Sequence, residues 1–78
     1  MTVQAYILIQ TDVGKASIVA EQTAEIDGVM LAEGVTGPYD VIVRAEAVDV
    51  NELAKTVISK VQALDGITRT LTCPVVHF

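Results

Sequence analysis

The stretch VTGPYDV, residues 35–41, lies at the midpoint of the 78-residue chain, between two apolar runs. A Gly-Pro pair breaks regular structure, so Gly37-Pro38 predicts a turn that joins two strands in a hairpin. Tyr39 and Asp40 follow directly, and they are two of the few side chains here that could bind a small molecule. We therefore expect this turn to be both a hairpin connection and a ligand contact.

The sequence predicts strands and helices in alternation on both sides of the hairpin. Period-two patterns rich in β-branched residues predict strands, and apolar residues at helical spacing predict helices. Thr11-Asp12 is expected to cap the first helix, and Asp49 with Glu52 forms a capping box for the second. Gly34, inside a strand pattern, suggests a bulge or a close approach. The predicted strands are 3–10, 29–36, 39–48 and 67–76, and the predicted helices are 13–25 and 50–64.

An internal repeat organises these elements. IDGV, residues 26–29, recurs as LDGI, residues 64–67, and at the same offset of 38 Thr11 falls on Asp49. The chain is therefore two β-α-β halves in the order βαββαβ. With short links and right-handed crossovers, this order gives an α+β ferredoxin-like sandwich, in which one four-stranded antiparallel sheet carries both helices on one face.

The second face of this sheet is predicted to be bare. Because the offset is even, odd positions of the first and third strands should lie under the helices, and even positions should point away. We interpret the bare face as a sheet-to-sheet dimer contact; the alternative is a monomer that tolerates scattered apolar groups. The residues predicted on this face are Tyr6, Leu8, Ile42, Thr68, Thr70 and Thr72.

Composition narrows the functional classes. Half of the residues are apolar (51%), which favours self-association in so short a single domain, residues 1–78. The net charge is −5 and the five basic residues are scattered, so direct nucleic-acid binding is not expected. A single cysteine, no basic leader and short apolar runs favour a cytoplasmic protein without a membrane segment.

No catalytic or metal-binding constellation is apparent. His77 is the only histidine and is penultimate, and Cys73 has no base beside it. We therefore predict no metal, no cofactor and no enzyme activity. An amino acid would need a carboxylate for its ammonium, N–H groups or hydroxyls for its carboxylate and a wall for its side chain. Asp40, the Gly37 backbone and Tyr39 offer such groups, and threonines of the last strand add hydroxyls; the alternative is a hairpin in which Asp40 bonds to its own loop.

Two motifs resemble those of a known family. VTGPYDVIVRA, residues 35–45, and DGITRTLT, residues 65–72, look like the Lrp/AsnC effector domain, also called RAM, and the resemblance runs from Val3 to Val76. It implies dimers joined through their sheets and further assembly, often to octamers or decamers, with amino acids bound between dimers. The ligand-binding positions that it implies are Gly37, Tyr39, Asp40, Thr70 and Thr72.

Two departures from the family qualify this expectation. Full-length members carry an N-terminal helix-turn-helix of roughly fifty residues, for which this chain has no room, so DNA binding is not carried over. Pro38 stands where a polar residue is common, which stiffens the turn. We expect a stand-alone effector domain that modulates assembly or transcription regulation and co-assembles with full-length family members. The alternatives are a small dimeric enzyme of the cofactor-free monooxygenase or isomerase type and a ligand-free assembly module.

Overall fold

The computed structural model describes residues 2–77. Its four strands form one antiparallel sheet in the order β2-β3-β1-β4, and two helices follow β1 and β3 in the chain. This confirms the predicted ferredoxin-like α+β fold. The elements are β1 (Val3–Thr11), α1 (Ala16–Ala24), β2 (Val29–Gly34), β3 (Val41–Ala47), α2 (Val50–Glu52, Leu53–Ile58 and Ser59–Gln62) and β4 (Ile67–Pro74).

The core lies between the sheet and the helices. Odd positions of β1 and β3 are buried there, as their alternation predicts, together with one side of each helix. The middle segment of α2, Leu53–Ile58, is wound as a π-helix and still contributes two core residues. The buried apolar residues are Ala5, Ile7, Ile9, Val19, Val41, Val43, Ala45, Leu53, Val57 and Val61. Within the described range, no helix is long and apolar enough to cross a membrane.

The face predicted for the threonines of β4 is wrong. Ile67 and Arg69 oppose Thr11 and Gln10, so Thr68 is an extra residue in β4. Such a bulge shifts the strand by one residue, which moves every later side chain to the other face. Thr70 and Thr72 therefore lie opposite the buried Ile9 and Ile7, on the helix side. The bare face carries Leu71 and Cys73 instead.

A second bulge has the equivalent position in β2. Val29 and Leu31 oppose Ala45 and Arg44, which leaves Met30 as the extra residue. Met30 precedes Thr68 by the repeat offset of 38, so both halves of the chain share this irregularity. The prediction that Gly34 marks a bulge or a close approach is wrong, because Gly34 pairs regularly with Val41 and the nearest atom to an added Cβ is the Asp40 carbonyl oxygen at 4.0 Å.

The repeat does not keep one offset throughout. Helix α1 begins after Lys15, which makes no side-chain cap, whereas the Asp49 carboxylate caps α2 by accepting from the Glu52 N–H at 2.8 Å. The predicted cap at Thr11-Asp12 is therefore wrong; a turn at Gly14 (φ 80°) delays the helix. The helix starts differ by 34 residues and the helix ends by 38, so α2 has one extra turn.

Candidate functional site

The hairpin connection between β2 and β3 is wider than the sequence predicts. Gly34 and Val41 form the last strand pair, and the Val35 N–H donates to the Asp40 carbonyl at 2.9 Å across the loop. Residues 36–38 are exposed. Gly37 has a φ of 138°, a backbone conformation that residues with a side chain rarely adopt. A Cβ at this position would meet no atom within 4 Å. The tip of the turn therefore has open space around it, and its backbone conformation favours glycine at position 37.

Asp40 ties the turn to β1 by main chain and side chain. Its N–H donates to the Ile9 carbonyl at 2.9 Å. Its Oδ2 accepts from the Thr11 N–H at 2.8 Å and, more weakly, from the Thr11 hydroxyl at 3.4 Å. The carboxylate thus bonds to the neighbouring strand rather than to its own loop. Within residues 2–77, Oδ1 has no hydrogen-bond partner and is free to accept from a ligand cation.

Gln10 makes the second side-chain connection to the turn. Its Nε2 donates to the Pro38 carbonyl at 2.8 Å. Sequence reasoning missed both Gln10 and Thr11, because their role depends on the register between β1 and β3. That register, in which Ile9 opposes Val41, places the end of β1 beside the turn. No local pattern in the sequence fixes it.

Several backbone donors of the turn are unused. The N–H groups of Thr36, Gly37 and Tyr39 donate to no acceptor in the described part of the chain, and Pro38 has no N–H. Clustered N–H groups in a turn attract anions. The turn therefore offers donors for an anionic group, and Asp40 in the same turn carries one carboxylate oxygen without a partner among the described residues.

The five predicted ligand-binding residues do not form one cluster. Gly37, Tyr39 and Asp40 lie together on the turn, while Thr70 and Thr72 lie on β4, with β1 between. Thr70 opposes Ile9, whose carbonyl accepts the Asp40 N–H, so it lies at the same end of the sheet. Thr72 lies two residues further along β4, on the same helix-facing side, and is therefore further from the turn. Both threonines are half-buried.

The bare face of the sheet combines a polar network with an apolar strip. Arg44 donates to the Tyr6 hydroxyl and to Gln4 Oε1, each at 2.7 Å, and lies 5.3 Å from the centroid of the Tyr6 ring. Gln4 in turn donates to Glu46 at 3.4 Å. The neighbouring row across the sheet is Ile42, Leu8 and Leu71, in adjacent register positions. Leu71 is 46% exposed, so the end of this strip on β4 is accessible to solvent.

The remaining chemical groups do not assemble into a site. Among residues 2–77, no group of three or more histidine, cysteine or acidic side chains could hold a metal ion. Cys73 and His77 are both exposed. The turn, with the end of β1, is therefore the candidate site.

Comparison with known proteins gives a consistent result. Residues 4–77 match the family model described as the Lrp/AsnC ligand binding domain. An uncharacterised HTH-type transcriptional regulator of Pyrococcus furiosus is 34% identical over 71 residues, which are 87% of this chain and 47% of the regulator. The chain thus spans about half the length of the curated relatives that it matches.

Solved structures show the same architecture. The protein TTHA0845 from Thermus thermophilus superposes with a TM-score of 0.90 at 30% identity, over 97% of this chain and 95% of that one. A transcriptional regulator from Neisseria meningitidis, solved as a complex with L-Met, superposes with a TM-score of 0.82 at 19% identity. The match covers 96% of this chain and 50% of the regulator; at that identity it shows the fold alone.

Proposed function

The chain belongs to the family of Lrp/AsnC ligand-binding domains, and we propose that it senses a free amino acid at contacts between its own subunits. Members of this family are ligand-binding domains of transcription regulators rather than enzymes. The alternative of a small dimeric monooxygenase or isomerase therefore has no support. The finer assignment, which covers the ligand, its site and the assembly, is our proposal.

The observation that carries the proposal is the chemistry of the turn. Unused N–H groups at Gly37 and Tyr39 suit a carboxylate, and the free Oδ1 of Asp40 suits an ammonium. A free α-amino acid carries both charges a short distance apart. Thr70, at the same end of the sheet, and Thr72 beyond it would add hydroxyls.

The openness of the turn supports a site shared between subunits. Small-ligand sites bury most of the ligand surface in a concave pocket. Residues 36–38 are exposed and project from the end of the sheet, so one subunit alone covers little of a ligand. A second dimer packed against the turn would close the pocket, and ligand binding would then favour that assembly.

The bare face supplies the primary dimer contact in this proposal. Its apolar strip at Ile42, Leu8 and Leu71 is self-complementary in chemistry, as a two-fold interface requires. Dimers joined in this way would assemble further through the ligand turns, to octamers or decamers. We further propose that the ligand-binding domain, residues 1–78, acts in the cytoplasm, does not itself contact nucleic acid, and co-assembles with full-length regulators of the family.

The test is a thermal-shift screen of the twenty L-amino acids, beginning with methionine, combined with mass measurement by light scattering. A ligand at about 100-fold its Kd stabilises a protein by about 2.7 kcal/mol. For a domain of this size, the corresponding shift in melting temperature exceeds about 10 °C. If no amino acid raises the melting temperature, the proposal is wrong and the ligand-free assembly module is favoured.

The variant Asp40→Asn sharpens the test. Its amide oxygen can still accept from the Thr11 N–H, but the charge that would hold an ammonium is lost. We expect binding to weaken at least about ten-fold, since hydrogen bonds to charged groups are worth about 1.5–3 kcal/mol. The dimer mass should not change. Asp12→Asn, an exposed carboxylate at the same end of the sheet, is the matched control and should bind as the wild type does.

A further inference from the structure

Gln10 lies where β1 meets the turn. It is not among the ligand-binding residues that the sequence predicts. Its side chain is half-buried at the edge of the bare face. The amide Nε2 donates to the Pro38 carbonyl at 2.8 Å, across 28 positions of sequence. In the described part of the chain, no other side chain donates a hydrogen bond to residues 36–38. Gln10 is thus the side-chain anchor of the exposed tip.

This hydrogen bond fixes the direction of a donor on the turn. The Pro38 carbonyl and the Tyr39 N–H belong to one peptide unit, which is planar, and no peptide bond among the described residues is cis. In a trans peptide the C=O and the N–H point in opposite directions. Because Gln10 holds the carbonyl toward β1, the Tyr39 N–H points away from β1 and has no acceptor in the described chain.

We propose that Gln10 is a positioning residue of the ligand turn, which keeps the Tyr39 N–H aimed at the anionic group of the bound molecule. The inference rests on the proposed function, because it assigns a role within the same site. Asp40 anchors the opposite side of the turn to Thr11, so two consecutive residues of β1 hold the turn. Because these hydrogen bonds already restrict the turn in the free protein, ligand binding costs less conformational entropy and the affinity is higher.

The contribution of Gln10 is separable from the stability of the fold. The core lies on the other face of β1, and the strand pair of Ile9 with Val41 does not involve the Gln10 side chain. The bond from the Asp40 N–H to the Ile9 carbonyl also remains when Gln10 is replaced. Loss of the amide should therefore loosen the tip and leave the sheet intact.

The first experiment needs no ligand. Backbone ¹⁵N relaxation of the free protein reports the order parameters of the Gly37 and Tyr39 amides on the ps–ns timescale. We expect values near that of rigid backbone, about 0.85, in the wild type and below about 0.6 in Gln10→Met, which keeps the length of the side chain but removes the donor. Gln10→Lys, which retains a donor, should restore much of the order. Equal order parameters in the wild type and Gln10→Met would overturn the proposal.

The second experiment measures affinity by calorimetry for every amino acid that the thermal screen identifies. Gln10→Met should weaken binding about three- to ten-fold, as expected for one neutral hydrogen bond, with unchanged dimer mass and urea midpoint. Gln22→Met is the matched control, since Gln22 is exposed near the end of α1, on the helix side of the sheet and away from the turn. Equal affinity of Gln10→Met and the wild type would overturn the positioning role. If the wild type binds no amino acid, the proposed function fails, and the relaxation result still decides whether Gln10 orders the turn.

Discussion

Replacing Thr23 with valine should stabilise the domain. Thr23 lies on α1, is completely buried, and its hydroxyl has no hydrogen-bond partner among residues 2–77. Burial of an unpaired hydroxyl costs about 1–3 kcal/mol. Valine has nearly the same shape without the polar atom. The chain itself supplies the precedent, since the residue 38 positions later, at the equivalent place on α2, is the buried Val61.

The expected gain in the free energy of unfolding is about 1–2 kcal/mol, the lower part of that range. With a urea m-value of about 1 kcal/mol/M for so small a domain, the midpoint should rise by about 1–2 M while m stays constant. The melting temperature should rise by at least about 4 °C. The measurement is urea denaturation followed by circular dichroism at several protein concentrations, because dimer formation would also shift the midpoint.

The reverse exchange is the control for this prediction. Val61→Thr places an unpaired hydroxyl in the same environment of the other half, and it should lower the midpoint by a similar amount. A midpoint for Thr23→Val that is equal to or below that of the wild type would contradict the reasoning. It would mean that the Thr23 hydroxyl finds an acceptor in solution, such as a carbonyl of the preceding helical turn.

Two further predictions concern the backbone and the bare face. Gly28→Ala should lower the free energy of unfolding by at least about 2 kcal/mol, because φ is 94° and the new Cβ would lie 2.9 Å from Val57 Cγ2 and 3.0 Å from the Glu46 carbonyl oxygen. Urea denaturation checks this, and a loss below about 0.5 kcal/mol would contradict it. Leu71→Glu should convert dimers to monomers in light scattering, because a charge on the apolar strip would be desolvated in a sheet-to-sheet contact. Val13→Glu, at a fully exposed residue away from that face, should leave the mass unchanged; an unchanged mass for Leu71→Glu itself would place the dimer contact elsewhere.

The sequence predicts the position of the turn but not its connections to β1. The Gly37-Pro38 pair indicates where the turn lies, and the role of Asp40 as a ligand contact stays a prediction. The two residues of β1 that hold the turn, Gln10 and Thr11, were missed, because a long-range register brings them there. Their partners are 28 and 29 positions away in the chain, and the local patterns used for strands and turns do not reach that far.

Sequence patterns alone predict the order of the elements, the fold class and the buried faces of β1 and β3. These follow from local periodicity, turn residues and the IDGV and LDGI repeat, all of which are properties of neighbouring residues. The cap that Asp49 provides for α2 is equally local and is confirmed, whereas the Glu52 side chain makes no return hydrogen bond among the described residues.

The face on which the threonines of β4 lie depends on strand pairing and becomes visible only in the folded chain. A bulge adds one residue to a strand with no signature that marks Thr68 or Met30 in the sequence, and it reverses the side of the sheet for everything beyond it. Thr70 and Thr72 thereby move to the helix side, and Leu71 takes the bare face. The physical reason is that alternation along a strand is local, whereas the pairing that sets its phase is made between strands far apart in the chain.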